Sequence, residues 1–251
     1  MRLSDGMRII IGKVHRGFTL LELLISIALV TILLVILLPA LTSARQSSYR
    51  EQCADNERRL AQAWQMYLDD HAGEFPYEPL RTGWLYGGVR FSAIDDEAFL
   101  DMQRPLSGYT PSAPGDKDPE HLFCCPADGG ITGDLAHLGT GRRTAFRAFG
   151  TSYRANARLL DAQMNGLDRE HRGLRLTEIM TVPSRQLVMG DPIWYEQRED
   201  TDRHADWHGE EGKANLLFLD GSVRYQQILP RPQVGPAVVE PKIARRAPEG
   251  G

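Results

Sequence analysis

Little in this chain favours one sign of charge: 33 acidic residues face 29 basic ones, a formal net charge of −4. No basic stripe stands outside the N-terminal segment, so nucleic acid is not an expected partner. Cysteine is scarce. Its three residues are too few for a disulfide scaffold and match no zinc-site spacing. From Phe18 to Ala72 the chain holds Pro39 and no glycine, whereas most of its 24 Gly and 15 Pro follow from Gly73 onward. The first part is thus almost free of helix breakers, and the remainder should be rich in loops. Neither Gly-x-Ser-x-Gly, a phosphate-binding loop nor His-Glu-x-x-His occurs, and no Ser, His and Asp fall in a hydrolase order. An enzyme is not expected. Internal repeats are lacking too, and 251 residues suffice for one ordinary domain with appendages.

What the chain does have is a long apolar run, "RGFTLLELLISIALVTILLVILLPAL". From Phe18 to Leu41 it covers 24 residues, and about 20 cross a bilayer as a helix. Before it stand Arg2, Arg8, Lys13 and Arg16 against the single acid Asp5, a bias that keeps this end in the cytoplasm. A secretory signal would have a shorter core with a small-residue cleavage site behind it. Here Gly17 precedes the core, so the run is expected to stay as an anchor in the inner membrane lipid. Glu22 is the anomaly, because an acid at the centre of a membrane helix costs about 2.5–3.5 kcal/mol and less near its end. Two readings are open. Glu22 reaches the interface, or it meets an amine created by cleavage between Gly17 and Phe18, on its own chain or a neighbour's.

The run Gly17-Phe18-Thr19-Leu20-Leu21-Glu22 resembles the cleavage signal of type IV prepilins and type II secretion pseudopilins. That resemblance implies cleavage after Gly17 by a membrane prepilin peptidase that also methylates Phe18. It implies assembly with copies of the same chain or related pseudopilins, guided by Glu22 with Thr19 beside it. Pro39 falls where many such helices carry a kinking proline. Residues 1–17 are then a leader, starting at Met1 or Met7, and residues 18–41 a transmembrane and filament-core helix.

Beyond Pro39 the apolar residues Leu41, Ala44, Cys53, Leu60, Trp64, Tyr67 and Leu68 recur at helical spacing. This predicts one helix from about Phe18 to Asp70, bent at Pro39 and stopped by Gly73 and Pro76, with residues 42–72 as its amphipathic half. Residues 73–229 read as a β-rich head. "GWLYGGVRF", "RQLVMGDPIWY" and "ANLLFLDGSVRYQQIL" are its candidate strands, and the last holds Asp220-Gly221 as a hairpin turn. "DDEAFLDMQRPLSGY" reads as a short helix ending near Pro105. Residues 230–251, rich in Pro and Gly, are expected to be a disordered tail. The fold class is α+β and pilin-like: a long N-terminal helix on a small antiparallel sheet with long loops.

A second resemblance concerns the head. Cys53-Ala54-Asp55-Asn56, then Phe123-Cys124-Cys125-Pro126-Ala127-Asp128, Thr151-Ser152-Tyr153-Arg154-Ala155-Asn156, Pro183 to Asp191, His208 and Ala214 to Gly221 follow in the order seen in pilin-like proteins of planctomycetes. Their C-terminal domain is named for a His, a nine-residue spacer and an Asp-Gly. Here the spacer between His208 and Asp220-Gly221 is eleven residues, a departure from that pattern. The resemblance places Cys125 at the Cys-Pro position and implies pairing of Cys53 with Cys125, leaving Cys124 over; three buried thiols are the alternative. His204, Asp206 and His208 alternate in "RHADWHG" and would face one way on an extended segment, as ligands of zinc or calcium could. No third or fourth ligand fixes such a site, and no cofactor is expected. The expected function is a structural subunit of a pseudopilus or type IV pilus-like filament, with a cytoplasmic N-terminus and a periplasmic head. A membrane-anchored periplasmic binding module that never polymerises is the alternative.

Overall fold

The computed structural model describes residues 18–89, 104–110, 119–130, 144–167, 171–196, 207–210, 212–228 and 242. They fall into two compact units that meet in sequence between Ala44 and Arg45.

A single helix, α1, runs from Leu20 to Asp70 with Pro39 inside it. In its first unit every large apolar side chain from Phe18 to Leu41 is exposed. A helix apolar on all sides has no stable place in water, so this stretch needs lipid or other helices around it. The few hydroxyls there bond back to their own helix: Ser26 donates to the Glu22 carbonyl and Thr31 to the Ala28 carbonyl. That satisfies them without water.

The second half of α1 has one buried face, formed by Cys53, Ala54, Glu57, Leu60, Ala63, Trp64, Tyr67 and Leu68. Trp64 is its centre. Its rings lie 5.5 Å from those of Tyr86 and of Phe75, and its indole N–H donates to Met189 Sδ at 3.2 Å. At the end of the helix the Gly73 amide donates to the Leu68 carbonyl at 2.7 Å, as the Gly73 stop signal predicts.

The sheet has four antiparallel strands in the order β1 (Arg154–Ala155), β2 (Leu187–Gly190), β3 (Lys213–Phe218) and β4 (Val223–Gln227). β2 is buried throughout and β3 from Ala214 onward, which is why "LVMG" and "ANLLF" read as continuous apolar runs. A register shift between Leu187 and Met189 marks a bulge in β2. β3 and β4 form the predicted hairpin. Phe218 accepts from the Gly221 amide and donates to the Ser222 carbonyl, and Gly221 has φ +79°. This is a three-residue turn closed by a glycine in the left-handed region.

Two sequence expectations need correction. Residues 83–89 of "GWLYGGVRF" form no strand. Side chains and isolated backbone groups of other segments take their backbone groups instead: Gly83 N–H donates to the Glu78 carboxylate, Arg104 Nη1 donates to the carbonyls of Trp84 and Gly87, and the Gly83 and Tyr86 carbonyls accept from the Ala155 and Leu106 amides. Gly83 also has φ +75°, and a Cβ there would lie 2.2 Å from the Ala155 carbonyl oxygen. In "RQLVMGDPIWY" only Leu187–Gly190 is strand, and Ile193–Glu196 is a helical turn. Pro105 opens a short 3-10 helix through Tyr109, and the short helix expected upstream of it falls on residues 95–103, which lie outside the described residues. So do the leader, and most of the tail; of the latter Lys242 is described, its carbonyl accepting from Met180 N–H and its amide donating to Thr181 Oγ1.

Candidate functional site

At the start of α1, local chemistry puts three functional candidates together. Phe18 is exposed and precedes the helix. Thr19 is its N-cap: Thr19 Oγ1 accepts from Glu22 N–H at 3.2 Å, and Glu22 Oε2 accepts from Thr19 N–H and Thr19 Oγ1–H, both at 2.9 Å. This is a reciprocal capping box, in which each residue satisfies an amide the helix leaves open. The carboxylate also faces the positive end of the helix dipole. Glu22 therefore has a role within its own chain, one the sequence reading missed although Thr-x-x-Glu before an apolar run is its signature. Among the described residues Glu22 Oε1 has no hydrogen-bond partner. One oxygen caps the helix, and the other is not used in the cap. Gly17 lies outside the described residues.

In the head the motif residues converge on the junction between α1 and the loop 119–130. Cys53 and Cys125 form a disulfide with Cα atoms 5.1 Å apart, while Cys124 is free and half-buried. Burial, and then Asp128, push the Cys124 thiol above its ordinary pKa, which keeps it protonated and a poor attacker of the neighbouring bond. Asn56 Nδ2 donates to the Cys124 carbonyl and to Tyr153 Oη. Ser152 Oγ accepts from Cys125 N–H and donates to Asp128 Oδ2 at 2.6 Å. Asp128 also accepts from the amides of Gly130, Ala145 and Phe146. These contacts brace α1 against the head from several directions.

His208 is buried beside this brace. Its Nε2 lies 3.1 Å from Asp191 Oδ2 and 3.9 Å from Cys125 Sγ. Asp191 Oδ2 also accepts from Asn215 N–H at 2.8 Å, and Asn215 Nδ2 donates to the Arg50 carbonyl on α1. Nearby lies Glu57, fully buried on α1, and among the described residues neither of its carboxylate oxygens has a hydrogen-bond partner. Burial, and then the nearby Asp191, push its carboxyl well above the ordinary range.

The arrangement separates some residues that the sequence groups together. The carboxylate that meets His208 is Asp191. Asp220 instead caps its own turn, accepting from Ser222 N–H and Oγ–H and pairing with Arg224. His204 and Asp206 lie outside the described residues. Glu57 and Asp191 were not singled out from sequence. Glu57 could have been, because it sits between Cys53 and Leu60 at the spacing of a buried helical face. Asp191 had no local signal, since its partners come from distant segments.

A family model described as the prokaryotic N-terminal methylation motif matches residues 12–38. No curated protein and no solved structure matches the chain. The matched residues include Gly17, Phe18, Thr19 and Glu22, and they support a type IV pilin-like or pseudopilin-like precursor processed at its N-terminus. The apolar half of α1, long and apolar enough to cross a membrane, fits a single-pass anchor.

Proposed function

We propose that this chain is a structural subunit of a pseudopilus or type IV pilus-like filament. A prepilin peptidase cuts after Gly17 and methylates Phe18, and the subunits then pack through the apolar half of α1. The observation that carries this reading is the Thr19–Glu22 box, which opens an exposed apolar helix inside the methylation motif. Glu22 Oε2 is used in capping, so Oε1 is the atom that receives a neighbour's Phe18 amine. A charge pair in a lipid-like setting offsets the cost of burying either ion alone, and it fixes the stagger between helices. The order of motifs in the head favours the pilin-like proteins of planctomycetes. In that setting the head is held outside the cytoplasm, where an oxidising space maintains a disulfide.

Intact-mass analysis of the native membrane protein tests the processing. The expected species begins with methylated Phe18, and a chain retaining the leader from Met1 or Met7 overturns the proposal. A Gly17→Leu variant should keep its leader.

Assembly is tested by comparing Glu22→Gln with Glu22→Ala. Glutamine preserves a capping box and removes the charge. Both variants should be cleaved normally, and both should lose most of the filaments seen by electron microscopy. Wild-type filament numbers from Glu22→Gln would show that capping alone suffices and would refute the charge pair. If crosslinking in cells finds monomers only, the anchored binding module replaces the filament subunit.

A further inference from the structure

Three ligand atoms meet in the interior of the head. Cys53 Sγ, Cys125 Sγ and His208 Nε2 lie within 4.8 Å of one another, and all three residues are buried. They come from α1, the 119–130 loop and the 207–210 segment. Asp191 Oδ2, at the end of β2, stands 3.1 Å from the same imidazole nitrogen. Two thiolates, an imidazole and a carboxylate make a donor set suited to zinc. With bonds of about 2.3 Å to sulfur and 2.0–2.2 Å to nitrogen or oxygen, tetrahedral ligand atoms lie roughly 3.3–3.8 Å apart. The Asp191–His208 and Cys125–His208 separations, 3.1 and 3.9 Å, are close to that range. The surroundings also favour a cation. Among the described residues, Asp191 Oδ1 and both oxygens of Glu57 are buried without a hydrogen-bond partner, so acidic groups here are short of compensating positive charge.

We infer that, in the reduced chain, Cys53, Cys125 and His208 hold a zinc-class divalent cation, with Asp191 as the fourth ligand. The site and the disulfide exclude each other, because they use the same two sulfurs. A newly made chain carries both cysteines as thiols. Binding of the ion converts them to thiolates and releases two protons to solvent. A disulfide-bearing oxidant later takes two electrons from the thiolate pair, its own S–S bond breaks, and it takes up two protons from solvent to become a dithiol, leaving Cys53 bonded to Cys125 as the ion departs. Either staple ties α1 to the same loop, so the head is cross-linked in both redox states. This inference does not depend on the filament reading.

The test uses the full chain in detergent with Cys124→Ser, which removes the unpaired thiol. Reduced with a phosphine and titrated with Co²⁺, it should bind one equivalent. The spectrum should show thiolate-to-cobalt charge transfer and the strong visible bands of a tetrahedral site, and Zn²⁺ should displace them. His208→Ala should weaken binding by about tenfold or more, and the oxidised protein should give no charge-transfer band. Near-ultraviolet circular dichroism of the reduced protein should keep its folded signal when Zn²⁺ is present. Absence of the band, equal affinity in His208→Ala, or loss of the folded signal despite Zn²⁺ would each overturn the proposal.

Discussion

Glu57→Gln should stabilise the oxidised head, and the gain should grow as pH rises. Glu57 is fully buried, its oxygens have no hydrogen-bond partner among the described residues, and burial followed by the charge of Asp191 holds its carboxyl pKa well above the ordinary value. In the unfolded chain the same carboxyl titrates near its reference of about 4.3. Below that pH both states carry the proton, and ionisation imposes no penalty. Above it the unfolded state sheds a proton that the folded state retains, so stability falls with pH by up to about 1.4 kcal/mol per unit. The fall ends once the pH passes the raised folded pKa. Glutamine has the same shape and no titration, so its stability should lack this component. Denaturant melts of both proteins between about pH 4 and pH 8 check it. Parallel curves across that range would refute the assignment. Why a chain would keep this acid is a separate matter, and a cation held nearby in the reduced state supplies one reason.

Cys125→Ala should lower the stability of the head by about 4 kcal/mol. The bond spans a sequence separation of 72 residues, and a cross-link closing a loop of that size restricts the unfolded chain by about this much. Domains of ordinary stability have only about 5–15 kcal/mol in total, so much of the margin would go. For a head of this size the melting temperature should fall by roughly 8–16 °C. The measurement belongs in a chelator, so that no ion replaces the bond. Cys124→Ala is the control and should change stability by about 1 kcal/mol or less, because that thiol is half-buried and forms no disulfide. An unchanged melting temperature in Cys125→Ala would mean that the Asn56, Ser152 and Asp128 hydrogen bonds hold α1 without help.

Both predictions concern residues at opposite ends of legibility. The disulfide partners followed from a family resemblance, and the structure joins the same two cysteines. Glu57 carries a charge on a helix face whose neighbours Cys53 and Leu60 are both fully buried. A charged residue at an apolar position is a signal only when its neighbours define a face, and here they did. Residues 83–89 show the opposite failure. Their apolar, aromatic composition reads as strand, yet Glu78, Arg104 and single backbone groups of distant segments pair with their backbone from outside the segment.

The amino-acid sequence by itself determined the features that close within a few residues. These are the exposed apolar helix with its Thr19–Glu22 opening, the Gly73 stop, and the Gly221 hairpin. Each rests on bonds between near neighbours or on the handedness one glycine allows, so composition and spacing suffice. Tertiary structure alone decided that His208 meets Asp191 rather than Asp220, that Glu57 faces the buried interior, and that the 83–89 segment is no strand. Those outcomes depend on groups brought together from far along the chain. Which donor reaches which acceptor is settled only when the whole head packs and water is excluded.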